Sequence, residues 1–162
     1  MTRKKTSKPI TKRRAARFAA IQALYQIELM GARPSMVVHE FDDHRLSELF
    51  EPFLPDEPAP DVDREWFRLV VTGAAEETAR LDGDIAPLLA TGWTMERLSA
   101  PMRALLRCAA YELAYRHDVP PNVVVDEYVE LAYAFFEGGE PGFVNAILDR
   151  LSRDMRRDVP TV

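Results

Sequence analysis

Four cationic side chains, Lys12, Arg13, Arg14 and Arg17, stand within six residues near the start of the chain. Guanidinium groups form charge-assisted, often two-pronged hydrogen bonds with phosphate oxygens. Arg13 and Arg17 are four apart, hence on one face of a helix, with Arg14 beside them. Such a tip can follow a nucleic-acid backbone. Charge alone leaves a merely solubilising terminus open as the alternative, and does not separate RNA from DNA. Two residues further along offer contacts of another kind. Gln22 can hydrogen-bond, and Tyr25 can stack on, a splayed base, although packing in a core serves Tyr25 equally well.

Other reactive residue types do not assemble into a known pattern. His39-Glu40 followed by His44 resembles a zinc-protease motif, but that motif needs histidines four apart. Five apart places them about 140° apart on a helix, so these are expected to be solvated. The single Cys108 lies in the apolar stretch LLRCAAYEL and reads as a small core residue. One cysteine excludes an internal disulfide and suits a reducing compartment. Gly-rich phosphate loops, nucleophile elbows and Cys/His clusters are missing. Neither a cofactor nor a metal is expected, and Trp66, Phe67, Trp93 and Tyr111 are expected in the core.

The charge is strongly polarised. Eight of the 21 basic residues precede the first acid, Glu28, so residues 1–27 carry +8. The remaining 13 set against 26 acids leave residues 28–162 at −13. This pattern suggests a polyanion-binding arm on an acidic body. No run approaches the roughly 18 apolar residues of a membrane span, and the start lacks a secretory signal.

These residues are positioned by elements of helical period. Residues 1–10 read as a disordered basic arm and residues 11–162 as one all-α domain of about seven helices. Thr11 caps a helix that runs to Gly31. Its apolar stripes (Ala16, Ala20, Ala23, Ile27 and Met30; Phe18, Tyr25 and Leu29) lie on two sides, as in a helix inside an assembly. Ser35 is expected to cap a second helix reaching Phe50, and Asp61 or Asp63 the third, in which Gly73 marks a close crossing. Asp82-Gly83-Asp84 is expected to interrupt it. Ser99 caps the next helix and Asn122 the following one, which Gly138-Gly139 ends. Pro141 sits in the first turn of the last. Residues 51–61 hold four prolines and form a surface loop.

Three segments, RRAARFAAIQALYQIE, LLRCAAYELAYRHDVPPNVVVDEYVELA and GFVNAILDRL, together resemble the NusB transcription antitermination family, in that order and spacing. The resemblance covers residues 11–155. It implies two packed helical subdomains and a bacterial, cytoplasmic, non-enzymatic factor. Such a factor binds single-stranded boxA RNA of ribosomal RNA operons together with NusE, a small-subunit ribosomal protein. RNA polymerase and other Nus factors are implied as indirect partners. The family's RNA-binding start falls on Lys12, Arg13, Arg14 and Arg17, with Gln22 and Tyr25 in the adjoining AIQALY. Its partner side falls on Glu127, Glu130, Phe143 and Asn145. Phe143 is equally suited to capping the core.

Asp126 departs from the Asn common in the family, the segment around Leu88 lacks an aromatic, and the Pro-rich loop is long. Two rival readings stand beside the resemblance. One is an accessory domain of a ribosomal-RNA methyltransferase system; the other is a purely protein-interacting helical module. Self-association into a homodimer through an apolar face is also left open.

Overall fold

A computed structural model describes residues 10–156; residues 1–9 of the expected basic arm lie outside them. Seven α-helices and no strand occur among the described residues: α1 Lys12–Met30, α2 Pro34–Glu40, α3 Arg64–Glu76, α4 Thr78–Ile85, α5 Ala100–Tyr115, α6 Pro121–Phe135 and α7 Glu140–Arg156. The all-α expectation holds.

The central element is α1. Thr11 Oγ1 accepts the Arg14 N–H at 3.0 Å, and Gly31 closes the helix in the left-handed region at φ 61°. Ala15, Ala16, Ala19, Ala20 and Ala23 are all fully buried. Their short side chains let α3 and α5 pack on two flanks, while α2 and α6 also touch. Phe18 extends this contact through rings at 5.1 Å from Phe50, 5.0 Å from Phe53 and 5.1 Å from Phe135. The far end of α1 emerges: Leu29 and Met30, expected in the stripes, are exposed.

Several element boundaries differ from the sequence expectation. α2 starts at Pro34, with Arg33 rather than Ser35 at the cap. α6 starts at Pro121, with Pro120 rather than Asn122 at the cap. In both cases proline occupies the first helical position, where its fixed φ and missing N–H cost nothing. α2 is also shorter than expected and passes at Phe41–Arg45 into a π turn. Phe41 and Leu46 are both buried although five apart. A widened turn, with Leu46 N–H donating to Phe41 O at 3.0 Å, brings them together.

Asp82-Gly83-Asp84 does not break the chain; α4 runs through it. Leu81 and Ile85 are buried on either side, and Arg107 grips Asp82 with two bonds of 2.8 Å. The interruption falls instead at Glu77, between α3 and α4. There Thr78 Oγ1 donates back to the carbonyl region of Ala74 and Ala75, at 3.0 Å to each. Other caps are as read: Asp63 accepts from Trp66 N–H and Ser99 from Met102 N–H. Pro141 lies in the first turn of α7, while α6 stops at Phe135, ahead of the two glycines. Trp93 is exposed rather than in the core, with the Arg97 guanidinium 5.4 Å from its ring. Cys108 is fully buried, and burial pushes its thiol pKa well up.

Gly73 is where α3 and α5 meet. The Tyr111 ring occupies the space a Cβ would need. Gly73→Ala is expected to lower stability by ~1–3 kcal/mol through overpacking. In a Tyr111→Ala background the same change is expected to stabilise by up to about 1 kcal/mol, because only helix propensity remains. Urea unfolding of the four proteins checks the reversal of sign.

Candidate nucleic-acid interface

The first turns of α1 divide their cations between solvent and core. Lys12 and Arg13 are exposed; Arg14 and Arg17 are buried, at 5% and 3% exposure. The expectation of one exposed tip made of all four is therefore corrected. The cause is helical phase. Arg14, Arg17, Ile21 and Leu24 recur at spacings of three and four and share the inward face.

Arg17 meets Glu112 of α5 in a two-pronged pair, Nε to Oε2 at 2.9 Å and Nη2 to Oε1 at 2.8 Å. Glu112 is fully buried. The Tyr128 hydroxyl, from α6, donates to the same Oε2 at 2.5 Å. One buried carboxylate thus ties three helices. Burial is the largest single influence on the Arg17 pKa and lowers it. The hydrogen bond and charge of Glu112, with smaller contributions from Tyr128 and Glu127, outweigh it and leave the pKa raised. Burial, then the Glu112 charge, pushes the Tyr128 phenol well above its ordinary value, so it stays a donor. Arg14 makes the parallel contact to Glu127 of α6, with Nε to Oε2 at 2.7 Å and Nη2 to Oε1 at 3.1 Å.

Arg13 behaves differently. Its guanidinium carbon lies 4.0 Å from the centroid of the Trp66 ring, and Nε stands 3.7 Å from Asp63. Arg116, at the end of α5, approaches the same ring at 4.9 Å, and Arg17 at 5.7 Å. The Trp66 indole, itself buried, therefore organises guanidinium groups from two helices by cation–π attraction.

The remaining sequence candidates are spread out. Gln22 and Tyr25 are half-buried farther along α1, Tyr25 packing against the core. Glu127 is engaged by Arg14, and Glu130 is half-buried on the same helix. Phe143 is half-buried against the core at the start of α7, Val144 is buried and Asn145 is exposed. Sequence reasoning missed Trp66, Glu112, Arg116 and Tyr128. A signal existed for Glu112: Leu105, Ala109 and Glu112 share one helical face, so an acid stood on an otherwise apolar stripe. His39 Nε2 lies 3.0 Å from Asp43 at the surface. Among the described residues no cluster of His, Cys, Asp and Glu could hold a metal ion, and no helix is long and apolar enough to cross a membrane.

Fold and site together define an all-helical protein built on one central helix whose cationic entry locks Arg14 and Arg17 inward and presents Arg13 on an indole. The chain belongs to the NusB family, whose profile matches residues 14–153. It is 47% identical over 149 residues to the transcription antitermination protein NusB of Maricaulis maris, covering 90% of this chain and 89% of that one. It superimposes on NusB of T. maritima with a TM-score of 0.66 and 32% identity, over 89% of this chain and 92% of that one. A crystal structure of antitermination factors NusB and NusE in complex with dsRNA shares the fold, with a TM-score of 0.67 at 22% identity, over 87% of this chain and 96% of that one.

Removing one member of a buried charge pair leaves the other uncompensated. Glu112→Gln is expected to cost ~3–5 kcal/mol on that ground, whereas Arg13→Ala, in an exposed pair, should cost no more than about 1 kcal/mol. Urea denaturation of both variants checks the ranking.

Proposed function

We propose that this protein acts in transcription antitermination by binding boxA-type single-stranded RNA of ribosomal RNA operons jointly with NusE. Membership of the NusB family across residues 14–153 carries this reading. RNA polymerase and other Nus factors are then partners of the assembled pair. The protein works by binding in the bacterial cytoplasm and not by catalysis.

The charge distribution supports a division of labour. Residues 1–27 carry eight cations and no acid, which favours RNA phosphates, while the acid-rich remainder repels them. A basic partner that covers part of the acidic surface and extends the RNA surface offsets that repulsion. Glu130, Phe143 and Asn145 remain the partner-facing candidates, and Gln22 and Tyr25 the base-facing ones. Lys12 and Arg13 are the described cations of the arm's end open to phosphate.

Fluorescence anisotropy with labelled boxA RNA tests this. Binding is expected to be weak alone and at least about tenfold tighter with NusE, a gain of about 1.4 kcal/mol. The logarithm of affinity should fall against that of salt by about 0.7 per phosphate contact. Equal affinity with and without NusE, or for a scrambled RNA, would contradict the proposal.

A further inference from the structure

We infer that a groove beside the first turn of α1 is a nucleotide subsite: it holds one nucleotide of the bound RNA, with Lys12 and Arg64 on its phosphate and Asp61 accepting from its sugar or base. The inference rests on the RNA-binding reading above and extends its footprint beyond α1.

The groove runs between the first residues of α1 and α3 and the end of the Pro-rich loop. Its volume is about 390 Å³, within the roughly 300–1,000 Å³ range of small-molecule sites. Buried Leu46 contributes to its lining, as do Ala59 and Pro60 of the loop. The charged side chains of the lining are Lys12, Arg64 and Asp61, two cations and one carboxylate.

Both cations can take a phosphate without giving up a partner. Lys12 is exposed, and its ammonium pairs with no carboxylate among the described residues. Arg64 is about half exposed and is steadied through one nitrogen alone. Its Nη1 donates to Asp42, at 2.8 Å to the backbone oxygen and 3.2 Å to Oδ1. Nε and Nη2 make no hydrogen bond among the described residues, so they remain for a two-pronged phosphate contact. Asp61 sets the class of ligand. A bare inorganic anion is repelled by its carboxylate, whereas a ribonucleotide brings a 2′-hydroxyl and base amines that can donate to it.

The walls are fixed before anything binds. Phe18 of α1 meets Phe50 and Phe53 at 5.1 and 5.0 Å, which anchors the start of the loop. Asp63 N–H donates to Lys12 O at 3.0 Å, which anchors its end to the same helix. Four prolines between the anchors reduce the freedom of the loop. Little ordering cost is then left to oppose binding. Lys12 also adjoins Arg13, so a strand whose phosphate meets Arg13 continues into the groove.

The test uses the full chain with NusE and labelled boxA RNA, titrated across salt. Arg64→Ala is expected to weaken binding about threefold to tenfold and to reduce the salt slope by about 0.7. Arg68→Ala is the matched control. It removes the same charge and the other arginine on Asp42, 3.2 Å from Oδ2, but one that does not line the groove, and should leave affinity within twofold. A second readout keeps every charge. With RNA shortened one nucleotide at a time from either end, the wild type should lose about threefold to tenfold at the step that empties the groove. Ala59→Trp, which fills the groove, should abolish that step. Urea midpoints confirm that each variant is folded. Wild-type affinity and slope in Arg64→Ala, an equal loss in Arg68→Ala, or an unchanged length dependence in Ala59→Trp would overturn the subsite while leaving the antitermination reading intact. Failure of the wild-type pair to bind RNA would instead sink that reading, and this one with it.

Discussion

A guanidinium enclosed in a helical core is tolerated only when a carboxylate meets it there, and the Arg17–Glu112 pair imposes that condition on this fold. Neither charge is stable in the interior without the other. The pair therefore fixes where α1 lies against α5, and the Tyr128 hydroxyl on Glu112 extends the constraint to α6. Arg14 and Glu127 repeat the arrangement one turn nearer the surface. The apolar part of α1 then has only to fill the space so defined, which its run of buried alanines does at close range.

This arrangement gives the beginning of α1 two kinds of cation with different duties. Inward ones set the register of three helices and hold the turn rigid. Of the outward ones, Arg13 rides on Trp66, which is anchored by burial in α3 and meets guanidinium groups from α1 and α5 together. The Arg13 guanidinium, proposed to meet phosphate, is oriented by an indole, and the indole is oriented by the core. The same logic bears on Glu127. Its carboxylate stabilises Arg14, which links the first turn of α1 to α6.

What was legible in the sequence follows from the range of the interactions concerned. Thr11, Gly31, Asp63 and Ser99 act within three or four residues, so their caps could be read directly. Gly73 on an apolar face gave notice of a close crossing, although not that Tyr111 would fill it. Proline starts were misread because polar capping residues stood nearby; Pro34 and Pro121 open their helices where Ser35 and Asn122 had seemed the natural caps. The π turn after α2 required knowing that Phe41 and Leu46 are both buried, a tertiary fact. Arg14 and Arg17 were assigned by charge, whereas their helical phase placed them with Ile21 and Leu24. The partners that decide the matter lie 113 and 95 residues away, beyond any local pattern. Trp66 as a shared platform was invisible for the same reason, since Arg13, Trp66 and Arg116 meet only in three dimensions.

The separation of locked from exchangeable arginines is the central claim, and nitrogen-15 NMR of the arginine Nε–H groups tests it most directly, with and without RNA and NusE. Arg14 and Arg17 should give sharp, slowly exchanging Nε–H signals that hold their positions on RNA addition, while that of Arg13 exchanges fast in the free protein and shifts on binding. An Arg17 Nε–H that exchanges as fast as that of an exposed arginine, or that shows the largest shift when RNA binds, would contradict it.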